Sequence, residues 1–306
     1  MTINGDFTFD GVALSSFGDV TVVKGETFEA PAREFDVREI PGRNGDMVLD
    51  GGKYPNVEIT YWVMIRSNFE TTYRKICGFL LSRKGYCKLS DSWNTDEFYL
   101  AYVSQSIQPT INRGEDQGAF EVVFSRKPQR FLVSGETPVT PTPIPGTVPS
   151  QNLVHLENPT YFPSRPQVSV TLAQNLGSGA ETLFECGLFT RVTSNFTQYV
   201  VEGTRRAVVL YAGFQVSMNG YGTTGDEIVV DCEARSVYNK TKGKSLNAIT
   251  YLTDSNGTPD AGDHTFYPDF PEIQPILGTD YVNFTILFTY ASHYSAMSVL
   301  PRWWTV

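Results

Sequence analysis

Residues 136–151 read ETPVTPTPIPGTVPSQ, and this stretch constrains the chain more than any other. Alternating proline and threonine remove backbone donors and favour extended, polyproline-like backbone, so neither a helix nor a central strand is expected to pass through it. A linker over Glu136–Gln151 divides the 306 residues into 1–135 and 152–306, each long enough to bury its own core. In the first half, Asp19–Lys24, Val57–Ile65, Glu97–Val103 and Ala119–Ser125 are β-branched and aromatic runs bounded by turn formers. In the second half, Gln167–Leu172, Ala207–Tyr211, Glu227–Cys232 and Tyr281–Thr289 read the same way, and no stretch sustains a 3.6-residue period. The fold class expected is mainly β: an N-terminal β-domain, then a C-terminal antiparallel β-sandwich.

One helix interrupts the first half. From Asn68 to Lys84, the apolar residues Phe69, Tyr73, Ile76, Cys77, Leu80 and Leu81 fall on one stripe of a helix. Ser67 is placed to cap it, Glu70 lies in its first turn, Arg83 and Lys84 in its last, and Gly85 stops it.

Between Glu34 and Asn56 the sequence is charged and glycine-rich, with a turn signal at Asn44-Gly45 flanked by segments able to pair. This predicts a long hairpin arm. With too few apolar residues for a core, the arm needs a surface to lie against, in its own domain or on a neighbouring subunit.

Chemistry is hard to place on this chain. There are three histidines, His155, His264 and His293, none beside a nucleophile elbow, and no phosphate-binding glycine loop. The reading is therefore that the protein is not an enzyme and has no catalytic, cofactor-binding or metal residues. Asp254–Thr258 opens like a calcium loop, but Pro259 takes the place of the turn glycine and the closing glutamate is absent. Asp91, Asp96 and Glu97 invite an acid–base reading, yet nothing in the sequence fixes a carboxylate separation.

Four cysteines without a CxxC pair read as reduced thiols, and four Asn-x-Ser/Thr matches matter only in a secreted chain. No apolar stretch reaches the roughly 18 residues that cross a bilayer, and the opening MTINGDFTFDG lacks the pattern of a secretory signal, so synthesis in a cytoplasm is expected. A formal charge of −9 disfavours gripping phosphates. An aromatic content of 13% leaves a carbohydrate-binding β-sandwich protein, recognising host-surface glycans, as the alternative to a scaffold.

Three segments of the first half carry something more specific. They are Pro41-Gly42-Arg43-Asn44-Gly45-Asp46, the helix running into Leu80–Asp91 (LLSRKGYCKLSD), and Phe120–Gly135 (FEVVFSRKPQRFLVSG). After the linker come Glu227–Asn247, Phe270-Pro271 and Pro301-Arg302-Trp303-Trp304. In order and spacing these segments resemble the siphophage distal tail (Dit) protein family across nearly the whole chain.

The resemblance implies a structural hub of a phage or prophage tail tip. Six copies would form a ring joining the tail tube to the baseplate or tip fibre. The N-terminal domain would build the ring, with a belt-like hairpin reaching a neighbour, and the C-terminal sandwich would be peripheral and galectin-like or carbohydrate-module-like. Expected partners are the chain itself, the major tail-tube protein, the tape-measure protein and tip-fibre or baseplate proteins, with a receptor-binding protein or host glycan at the periphery. The protein would belong to the virion tail tip, assembled in the bacterial host cytoplasm, with DNA passing through without specific binding.

The candidate interface residues are Pro41, Gly42, Arg43, Asn44, Gly45 and Asp46 at the arm tip, with Arg130 where the first domain ends. Arg302, Trp303 and Trp304 are candidates for packing or a domain seam. Alternation along a terminal strand would send the two tryptophans to opposite faces.

Overall fold

The computed structural model describes residues 5–26, 29–143, 150–175, 183–191, 198–201, 204–217, 222–245, 249–250, 272–273, 275, 282–288 and 294–306. The chain divides into two compact units, one of Met1–Val133 with Thr305–Val306, the other of Ser134–Trp304.

The first unit is an antiparallel sheet with one helix. Its strands are β1 (Phe7–Phe9), β2 (Val12–Ala13), β3 (Val20–Glu26), β4 (Phe35–Arg38), β5 (Met47–Asp50), β6 (Val57–Ile65), β7 (Cys87–Asp91), β8 (Glu97–Val103), β9 (Pro109–Asn112), β10 (Gln117–Arg126) and β11 (Arg130–Leu132). The main order is β2-β1-β7-β8-β10-β6-β3, with β9 beside β10 and β11 beside β8. Alternation on β6 decides what the sheet buries: Val57, Ile59, Tyr61, Val63 and Ile65 point inward, while Glu58 and Trp62 are exposed. The inward row meets Phe120, Val122 and Phe124 of β10, and the rings of Phe7, Phe9, Tyr61 and Phe124 cluster with centroids 4.8–6.0 Å apart.

Helix α1 (Phe69–Ser82) packs Phe69, Ile76 and Leu80 into this core. Three local expectations are corrected. Ser67 does not cap the helix: Asn68 takes the N-cap position in a left-handed conformation, and its N–H and that of Phe69 donate to the carboxylate of Asp116 at 3.0 and 3.2 Å. The cap comes from the turn before β10, which local rules do not see. Thr72, not Leu81, completes the buried stripe, and Leu81 is exposed. Arg83 lies just past the last turn, ion-paired to Asp10 at 3.0 Å over the ring of Phe79.

Gly118 on β10 allows the helix to approach. A Cβ there would overlap the ring of Phe69, which is held by Tyr73 stacked 5.5 Å away. Gly118→Ala is expected to destabilise the first unit by about 2 kcal/mol through this overpacking, read as a lowered thermal midpoint.

The second unit contains two antiparallel sheets. One runs β12 (Thr142–Pro143), β13 (Ser150–Leu156), β22 (Val282–Phe288), β15 (Leu183–Arg191), β17 (Thr204–Ser217) and β16 (Gln198–Val201), with β21 (Ile249–Thr250) beside β17. The other runs β20 (Lys244–Ser245), β19 (Ser236–Asn239), β18 (Glu227–Asp231), β14 (Gln167–Leu172) and β23 (Tyr294–Leu300). Val168, Val170, Ile228, Val230, Val237 and Val299 are buried on the second sheet.

The described ends of the Pro/Thr stretch differ from a free tether. Val139 exchanges two 2.8 Å backbone hydrogen bonds with Val299, and Thr142–Pro143 pairs with Asn152–Leu153. Proline is tolerated there because β12 is an edge strand, where a missing donor costs little.

Candidate assembly interface

The arm is built as a hairpin that pairs with no other strand among the described residues. β4 and β5 pair only with each other, Phe35 opposite Asp50, Asp36 opposite Leu49, Val37 opposite Val48 and Arg38 opposite Met47. Opposed residues share a face, so Phe35, Val37 and Val48 form one apolar row. They are 50%, 54% and 55% exposed. Met47 and Leu49, on the other face, are exposed as well.

The arm's charges are largely satisfied within it. Arg33 pairs with Asp50 at 2.6 Å, Arg38 with Asp36 at 2.9 Å and Lys53 with Glu34 at 3.0 Å. Such exposed pairs stabilise by about 1 kcal/mol or less each, and a lone two-stranded hairpin is marginal in water. The tip, Pro41 to Asp46, is exposed throughout, with Gly42 and Gly45 at φ +83° and +81° making the turn. Arg43 makes no side-chain hydrogen bond or ion pair among the described residues, leaving a free cation at the tip.

At its root the arm is held by arginine. Arg126, the largest fully buried side chain in the described residues, donates from Nη2 to the Glu29 carbonyl at 2.6 Å and from Nη1 to the carbonyls of Lys127 and Pro128 at 3.1 Å each. Its guanidinium lies 5.0 Å from the centre of the Tyr99 ring. Burial first, then the neighbouring Arg130, lowers the Arg126 pKa, while burial pushes the Tyr99 hydroxyl up to about 12.

Arg130, expected at a subunit contact, is 9% exposed. It faces Glu97 at 3.6 Å and reaches the same Glu29 carbonyl at 3.5 Å. These contacts place it beside Arg126 at the arm root.

Arg302 forms a two-pronged pair with Asp231, at 2.8 and 3.0 Å, and also donates to the Gln167 side chain. Burial pushes the Asp231 carboxyl up, but the bonds from Arg302 and nearby backbone N–H groups outweigh it and hold the pKa down. Trp303 is buried, whereas Trp304 stacks on Phe162 at 4.5 Å and donates to the Pro163 carbonyl at 2.8 Å.

Of the acidic trio, Asp91 is buried and fully used. Its carboxylate accepts the Tyr61 hydroxyl at 2.8 Å and the backbone N–H groups of Trp93 and Asn94 at 3.0 and 2.9 Å. It organises the turn into β8, and Asp96 is exposed. Phe270-Pro271, Asp254–Thr258, His264 and His293 lie outside the described residues. Among the described residues no cluster of metal ligands occurs, and no helix is long and apolar enough to cross a membrane.

No family model and no curated protein matches the sequence. Solved structures do match the backbone. The structure of the Dit protein of SPP1, described as a paradigm of the hub adsorption apparatus in phages infecting Gram-positive bacteria, covers 99% of both chains at 14% identity, with a TM-score of 0.56. The chain has a mainly-β, Dit-like fold. Two structures of the phage p2 baseplate in its activated conformation, with strontium and with calcium, also match. They cover 92% and 94% of this chain, and 97% and 98% of theirs, at 9% and 10% identity and TM-scores of 0.38 and 0.42. Within this Dit-like fold, the hairpin, Arg126 and the helix belong to the first unit, and the Arg302–Asp231 pair to the second.

Proposed function

We propose that this chain is a non-enzymatic hub of a long-tailed phage or prophage tail tip. Six copies close into a ring that joins the tail tube to the baseplate or tip fibre. The first unit builds the ring, its arm reaches a neighbouring copy, and the second unit lies at the periphery. The ring contacts the tail-tube and tape-measure proteins on one side and tip-fibre or baseplate proteins on the other, and DNA passes through it without being gripped.

The observation that carries this reading is the end-to-end match to a hub protein together with an arm whose apolar row is exposed among the described residues. A free-standing binding module would not need such an arm. Solution mass and negative-stain imaging of the purified chain test it. The expected result is an annular particle of about six chain masses at high protein concentration, since weak ring contacts close by mass action. A particle that stays single at every concentration, and also in the presence of tail-tube protein, would overturn it.

A further inference from the structure

Asparagine stands before glycine at Asn4, Asn44, Asn219 and Asn256, and of these pairs Asn44-Gly45, at the arm tip, is the one with both residues described. Such a pair carries its own reaction partner. The next backbone nitrogen can reach the side-chain amide carbon, and glycine puts no Cβ in the way. Whether it does so depends on how firmly the fold holds the two groups.

At the tip neither group is held. Asn44 and Gly45 are exposed, and a Cβ built on Gly45 would meet nothing within 4 Å. Strand pairing stops at Arg38 and Met47, and the backbone hydrogen bond within the tip, from the Arg43 N–H to the Ile40 carbonyl at 3.1 Å, involves neither residue. Two other sites show the contrast. The Gly5 N–H, in the pair that begins at Asn4, donates to the Val22 carbonyl at 2.8 Å. The Asn56 amide donates to the Tyr86 hydroxyl at 2.7 Å and the Ser125 hydroxyl at 3.0 Å, and the residue after it is the β-branched Val57.

We propose that Asn44 deamidates in the folded chain, giving the arm tip a negative charge and an isomerised backbone. The Gly45 nitrogen loses its proton and bonds to the Asn44 Cγ. The Cγ–Nδ2 bond breaks, and ammonia leaves with that proton. Water then opens the succinimide ring, at Cγ to give aspartate or at the main-chain carbonyl carbon to give isoaspartate. Water is the one co-reactant, and nothing is oxidised or reduced. Before the reaction the tip from Pro41 to Asp46 carries one cation, Arg43, and one anion, Asp46; afterwards it carries one cation and two anions. Isoaspartate also routes the main chain through the side-chain methylene, lengthening the bend that Gly42 and Gly45 make at φ +83° and +81°. A chain that stands free therefore acquires a second form of its arm tip with time, and this holds whether or not copies close into a ring.

The test uses the full folded chain, incubated in neutral buffer at a concentration low enough to keep it single. Samples taken over time are cleaved after glutamate in mildly acidic solution, which releases the peptide 40–58 with both Asn44 and Asn56. The expected result is a gain of about 1 Da located at Asn44, with isoaspartate exceeding aspartate and Asn56 unchanged. Gly45→Ala is expected to slow the gain several-fold, and Asn44→Gln to remove it. The same chain unfolded in denaturant supplies the reference rate. If Asn44 stays intact in the folded chain over a period in which the unfolded chain converts it, the fold holds the tip shut and the proposal fails. Conversion of Asn56 as fast as Asn44 in the folded chain would also overturn it, since the freedom of the tip would then decide nothing.

Discussion

Replacing Arg126 by methionine is expected to lower the stability of the first unit by about 4 kcal/mol and to release the arm from its root. The substitution keeps the length and apolar stem of the side chain but removes every donor. Three part-buried carbonyls, those of Glu29, Lys127 and Pro128, then lose the arginine, Glu29 keeping only the longer contact with Arg130, and each group left unsatisfied costs roughly 1–3 kcal/mol. The contact with the Tyr99 ring is lost as well. Chemical denaturation measures the first effect. The second is read by limited proteolysis in the 29–56 segment, where cleavage should accelerate even under conditions in which the core remains folded.

The choice of acceptors explains why arginine is used here. The guanidinium reaches carbonyls in two directions at once, which a lysine ammonium on a single stem does not reproduce. Arg126→Lys is therefore expected to recover the positive charge without the arm, keeping fast proteolysis in the 29–56 segment. If lysine restores full protection, charge alone is what the site needs, and the clamp argument fails.

Arg126 also shows which parts of the molecule can be read from the sequence. The strands announce themselves: Val57–Ile65, Glu97–Val103 and Gln167–Leu172 are observed with the bounds that their β-branched and aromatic runs predict. On β10 the alternation runs Gly118, Phe120, Val122, Phe124 and then Arg126, so the inward direction of the arginine was encoded in parity with the core residues before it. A charge at the end of an apolar row reads as the row's end, and that masked the signal. The Asp116 cap of α1 was not legible, because it depends on a turn 48 residues away closing onto Asn68. The arm was legible as a hairpin from Asn44-Gly45 and its flanks. Its apolar row was not, since composition over Glu34–Asn56 mixes charged and apolar residues, and only the register shows which of them share a face. Arg130 was noticed for its position at the domain's end, but its burial depends on the facing Glu97 and Glu29, far away in sequence.

In the second unit the largest effect is expected at Asp226, at about 3 kcal/mol for Asp226→Ala. Its nearly buried carboxylate oxygen accepts from Lys242 Nζ at 2.8 Å, the Thr223 N–H at 2.8 Å, the Asn239 amide at 3.0 Å and the Thr223 hydroxyl at 3.2 Å. One atom thereby ties the turn before β18 to the turn after β19. Alanine leaves the fully buried Asn239 amide without this acceptor, and hydrogen bonds to a charged group are worth about 1.5–3 kcal/mol. Burial alone would push this carboxyl up, but the bonds from Lys242, Thr223 and Asn239 outweigh it and hold the pKa well below the usual carboxylate range. Because the folded value lies below the unfolded one, near 4, the stabilisation is fully present above about pH 5 and drains away as the pH falls toward the folded value. Denaturation midpoints measured between pH 7 and pH 3 should therefore fall more steeply for the parent than for Asp226→Asn, which keeps the shape and lacks the charge. Equal slopes for the two proteins would show that the ionised carboxylate is not what holds these turns together.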